Sequence, residues 1–116
     1  IDAYSASTTL DMMEGVQDYY LSIGTDIHLP GYRLAVKSGT ATVAEDGVYG
    51  DKSTVSYVGL APAEDPEYIV VVSIGLPYGG TSDLAAPVMR DIMSHTLARY
   101  RVPPSSGGRT DYPLYW

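Results

Sequence analysis

No stretch of this 116-residue sequence narrows its fold more than EYIVVVSIGL, residues 67–76. Ile69, Val70, Val71 and Val72 are four consecutive β-branched residues, the type whose stiff side chains suit extended backbone. Successive side chains of a strand point to opposite faces, so a run without polar alternation is apolar on both. Such a strand is expected in the middle of a sheet, with something lying against each face.

The surrounding sequence supplies the partners. TVSYVGLAP, residues 54–62, is a second β-rich run, and AEDP, residues 63–66, joins the two with an Asp-Pro pair suited to a turn. Residues 32–44 read as a further strand, followed by the polar, glycine-containing EDGVYGDKS, residues 45–53, as a connecting loop bordering it. Before these strands, Leu10, Met13 and Val16, with Met12 and Tyr19 or Tyr20 beside them, recur at helical spacing over residues 7–20, with Ser7 or Thr8 as the cap. After them, Leu84, Val88, Met89, Ile92, Met93, Leu97 and Tyr100 form one stripe of a helix over 83–100, its start drawn toward Ala86 by Pro87. The expected fold is α+β: an antiparallel sheet with helices on both faces, occupying residues 1–101. Residues 102–116, with Pro-Pro and Gly-Gly and no periodicity, are expected to be an extended or mobile tail.

Composition removes several function classes. Fourteen acidic residues against seven Lys and Arg, without a basic cluster, argue against a nucleic-acid partner. The absence of cysteine excludes a disulfide framework and thiolate-held zinc, and His28 and His95 lie in no ligand-like cluster, so neither metal nor other cofactor is expected. Glu14, Glu45 and Asp46 read as solvated carboxylates, and Tyr57 as a core residue. The chain opens without an initiator Met, a signal sequence or an apolar span, and is expected to be a piece of a longer polypeptide.

Within the first expected strand lies VKSGTA, residues 36–41, where a lysine, two hydroxyls and a glycine occupy positions that a purely structural strand would fill with β-branched or aromatic residues. Glycine inside a strand marks the close approach of a ligand or another backbone. Alternation puts Lys37 and Ser38 on opposite faces, so both can serve one site only at a sheet margin.

Lys37-Ser38-Gly39-Thr40 resembles the K-[TS]-G-T motif of the penicillin-binding proteins and serine β-lactamases. Together with MMEGV, PGYRLAVKSGTA, SYVGLAPAEDPEYIVVVSI, GG and AAPVMRDIM in that order, it makes residues 7–101 similar to the last third of a class B penicillin-binding protein transpeptidase domain, the C-terminal portion of the β-lactamase/transpeptidase-like fold. The resemblance implies a peptidoglycan D,D-transpeptidase that cross-links stem peptides through a serine acyl-enzyme and is acylated by β-lactam antibiotics, on the extracytoplasmic face of the bacterial membrane. It implies catalytic roles for Lys37, which orients the middle motif's serine, and for Thr40, whose N–H forms half of an oxyanion hole. Ser38, Gly39 and Thr40 would bind the substrate: the two hydroxyls hold its carboxylate, and Gly39 leaves room for it.

The chain departs from the family pattern by absence. Neither lysine has a serine three residues earlier, and without any asparagine there is no S-x-N motif. The resemblance therefore implies an N-terminal portion of the same protein that carries the nucleophile, and no activity from this chain alone. Alternatives on the same fold are a D,D-carboxypeptidase or β-lactamase, with water as acceptor, and a non-catalytic β-lactam-sensing domain.

Overall fold

The computed structural model describes residues 1–107. Its elements are α1 (Ala3–Ser22), β1 (Ala35–Glu45), β2 (Val48–Ala61), β3 (Tyr68–Leu76), a short 3-10 turn (Ser82–Leu84) and α2 (Ala86–Tyr100). The strands form one antiparallel sheet in the order β1-β2-β3, an α+β meander.

Local chemistry sets each boundary. Asp2 caps α1, its carboxylate accepting from the Ser5 N–H at 2.9 Å, so the helix begins ahead of the Ser7 and Thr8 caps expected from sequence. The stretch expected as a loop after β1 is instead a tight hairpin. Asp46 and Gly47 take positive φ of 52° and 80°, the left-handed pair that a two-residue hairpin turn requires, and β2 starts at Val48. A register shift between Thr42 and Ala44 marks a bulge near that hairpin's tip. At the other end, Pro87 sits in the first turn of α2, where its missing N–H leaves no helical bond unmade. The residues after α2 stay docked: Val102 is buried, and the Ser105 N–H donates to the Gly31 carbonyl at 2.9 Å. The rest of the expected tail, residues 108–116, lies outside the described residues.

Burial alternates along β2 and β3, so the sheet has one covered face. Val36, Val55, Tyr57, Val70 and Val72 point into a core with Met89, Met93 and Leu97 of α2, and Val16 and Tyr20 of α1 pack against the same core. Gly59 lies on this face because α2 passes close above it: a Cβ there would meet Met89 Sδ at 2.3 Å. β3 is at the sheet margin, not its middle, and Ile69 and Val71 on the opposite face are each 62% exposed. The described residues thus supply no cover for the second face of the doubly apolar run. Leu84, Val88, Ile92 and Tyr100 of the expected helix stripe are likewise exposed, the buried stripe being Ala86, Met89, Met93 and Leu97.

Candidate active site

β1 is the other margin of the sheet, which meets the geometric condition set by Lys37 and Ser38. Cross-strand pairing of Ser38 with Tyr57, Thr40 with Val55 and Thr42 with Ser53 puts the three hydroxyl residues of β1 on the core-side face. Lys37 and Gly39 belong to the opposite face. The exposed Lys37 side chain turns back along the strand, and its Nζ donates to the Ser38 carbonyl at 2.7 Å, keeping the ammonium beside Ser38.

Gly39 pairs with Ser56, and a Cβ at position 39 would lie 2.6 Å from Ser56 Oγ. The close neighbour at this glycine is therefore a cross-strand hydroxyl, a cause the sequence did not suggest.

Ser38 is half-buried. Its Oγ lies 2.5 Å from the Tyr20 hydroxyl at the C-terminal end of α1. The Tyr20 ring meets the fully buried Tyr57 edge-on, with centroids 5.5 Å apart. Burial pushes the Tyr57 phenol above its ordinary pKa, and its oxygen has no hydrogen-bond partner among the described residues.

An ion pair ties α1 to the segment that leads into β1. Arg33 Nε and Nη2 donate to the two carboxylate oxygens of Glu14 at 2.9 and 3.0 Å, a bidentate fork, with Asp11 at 3.7 Å. Glu14 is buried, contrary to its expected solvation, because the guanidinium replaces water around its charge. The same hydrogen bonds hold Arg33 above its ordinary pKa. Thr40 continues into a cleft of about 520 Å³ that Thr42, Lys52, Ser53, Tyr78 and Gly79 also line. Residues 50–53, expected to border the motif strand, do so as part of β2. Ser53 is buried there with its Oγ unpartnered among the described residues.

Of these, Arg33 and Ser53 escaped sequence reasoning, Glu14 was read as solvated, and Tyr20 was placed only beside a helix stripe. Tyr20 carried the only available signal, its position four residues beyond Val16 on the apolar stripe of α1. No group of His, Cys, Asp or Glu among the described residues could hold a metal ion.

The structure is an α+β meander whose marginal strand presents Lys-Ser-Gly-Thr, and the family model for the penicillin binding protein transpeptidase domain matches residues 1–94. The chain belongs to that family. It is 42% identical over 84 residues to the probable peptidoglycan D,D-transpeptidase PbpC of Pseudomonas aeruginosa, covering 67% of this chain and 14% of that protein. It is 37% identical over 89 residues to the peptidoglycan D,D-transpeptidase FtsI of Escherichia coli, covering 72% and 15%. Among solved structures, a peptidoglycan synthetase from Bifidobacterium adolescentis superposes with a TM-score of 0.83 at 32% identity, over 100% of this chain and 21% of that one. The transpeptidase domain of Burkholderia pseudomallei penicillin-binding protein 3 gives 0.67 at 35%, over 84% and 30%. The chain thus spans about a seventh of the length of the two curated relatives.

Proposed function

We propose that these residues form one wall of the active site of a peptidoglycan D,D-transpeptidase, acting on stem peptides and acylated by β-lactams. In that reaction a serine from another part of the polypeptide attacks the carbonyl of the penultimate D-Ala and expels the terminal one. An amine of a neighbouring strand then attacks the acyl-enzyme and frees the serine. The present residues would supply the electrostatics. Ser38 and Thr40 hydroxyls donate to the terminal carboxylate, and Lys37 provides the positive charge that balances it. The Thr40 N–H shares the direction of the Ser38 carbonyl along the strand and would meet the developing oxyanion.

The observation that carries this reading is the position of Lys37. Its ammonium folds onto the Ser38 carbonyl at a free sheet margin, so charge and hydroxyls converge from opposite faces. The remainder of the polypeptide would carry the nucleophile and cover Ile69 and Val71, on the extracytoplasmic side of the membrane. Among the described residues no helix is long and apolar enough to cross one.

The test is acylation of the full-length protein by a fluorescent penicillin. Covalent labelling is expected, and Lys37→Ala should slow it on the order of 10- to 100-fold, the range for losing a charged hydrogen-bonding partner. Undiminished labelling of that variant would remove Lys37 from the mechanism. Slow release of the label, with transfer to an amine acceptor, marks a transpeptidase; rapid hydrolysis would mark a β-lactamase instead.

A further inference from the structure

We propose that Tyr20 is a positioning residue for Ser38, fixing the direction in which the serine hydroxyl donates; this rests on the reading of Ser38 as a carboxylate-binding group. A serine hydroxyl has one proton and can accept two hydrogen bonds. Left to rotate, it spends that proton on whichever acceptor is nearest, including solvent. With Tyr20 OH 2.5 Å from its oxygen, one neighbour is permanent. The phenol is the stronger acid of the two hydroxyls and therefore the better donor. Tyr20 O–H donates to Ser38 Oγ, and the Ser38 proton is left pointing toward the site, for a ligand carboxylate. The two bonds polarise each other in series.

Three features make the phenol a rigid support. Its ring rests edge-on against Tyr57, which is completely buried, and against Tyr19, with centroids 5.5 and 5.4 Å away. The helix that carries it is anchored by the Glu14 and Arg33 fork. Finally, Tyr20 approaches from the core-side face, leaving the strand margin open to ligand.

Tyr20→Phe keeps the ring against Tyr57 and removes only the donor. In the full-length protein, its second-order acylation rate with a penicillin should fall about three- to tenfold, the worth of one neutral hydrogen bond. Its rate with the methyl ester of that penicillin, which lacks the carboxylate charge, should not change. In a Ser38→Ala background Tyr20→Phe should have no further effect, while Ser38→Thr, which keeps a hydroxyl, should preserve the dependence on Tyr20. Equal losses with acid and ester would assign Tyr20 a purely structural role and overturn the proposal. An unchanged rate would do the same, and so would a faster one, which would mean that the phenol competes with ligand for Ser38. A wild-type protein that no penicillin labels removes the carboxylate reading itself, and this proposal with it.

Discussion

Gly59→Ala tests how tightly α2 is seated on the sheet. Position 59 lies on the core face of β2, opposite Val36 of β1 and Val70 of β3. A methyl group there would lie 2.3 Å from Met89 Sδ, 3.1 Å from Met89 Cε and 3.3 Å from Leu34 Cδ1. Ordinary contact begins more than an ångström beyond the first of these distances, so something must move. Met89 is flexible, but it is fully buried, as are Leu34 and Met93 around it. Because it lies in a close-packed core, its thioether must displace neighbours to swing away. Overpacking of this kind costs about 1–3 kcal/mol. With a denaturant slope of about 1–3 kcal/mol per molar urea, the midpoint should fall by roughly 1 M. The decisive measurement is a double-mutant cycle. Met89→Ala alone opens a cavity and costs about 2–5 kcal/mol, but it also frees the space the new methyl needs. The double variant should therefore be more stable than the sum of the single effects by about 1 kcal/mol or more. Effects that add to within about 0.5 kcal/mol would mean the two sites do not touch, refuting the close seating of α2.

Two further predictions rest on the buried polar groups. Burial raises the Tyr57 phenol pKa in the folded protein, so the unfolded chain ionises first and stability drains away as pH rises above about 10, by up to about 1.4 kcal/mol per pH unit. Tyr57→Phe should flatten that part of the profile in urea titrations at pH 9 to 11, and an unchanged slope would contradict the burial of the hydroxyl. Glu14→Ala strips Arg33 of its bidentate partner and leaves Asp11 at 3.7 Å. Because the Arg33 side chain is 20% exposed, water offsets part of the loss, and about 2–4 kcal/mol is expected, with Glu14→Gln costing less. A change below about 0.5 kcal/mol in denaturant unfolding would rule out this pair as the anchor of α1.

The sequence made the regular elements legible where one force acts alone. Strand runs of β-branched residues, the Asp-Pro turn and the Pro87 helix start each follow from local stereochemistry, and the structure has them. It was less informative where two forces compete. Asp46-Gly47 is both a polar loop and a hairpin turn, and the pairing of Val48 with Glu45, a tertiary fact, decided for the hairpin. Glu14 looked solvated because its partner is nineteen residues away. Ile69 and Val71 promised a second cover that the described residues do not supply. Lys37, Ser38 and Gly39 stood out because they are poor strand formers, and Thr40 because it adds a second hydroxyl beside them. Tyr20 did not, because an aromatic on a helix stripe is what packing alone would place there.

The marginal position of β1 ties these observations together. In the interior of a sheet, a Lys-Ser pair would send its ammonium to one layer and its hydroxyl to the other, and no ligand could touch both. At a margin the faces meet along a line, and a lysine stem is long enough to cross it, as Nζ does in reaching the Ser38 carbonyl. The same position frees backbone groups on the side away from β2, which a central strand would use in its ladder. A free edge is normally a liability for aggregation. On the proposed reading the exposed lysine would discourage strand addition while its charge favours a carboxylate, so that one residue would both protect the edge and select its ligand. Replacing Lys37 should then do more than slow acylation. The β1 edge of Lys37→Ala should become prone to self-association, which light scattering at rising protein concentration would detect. A variant that stays monomeric would separate the two roles and leave only the electrostatic one.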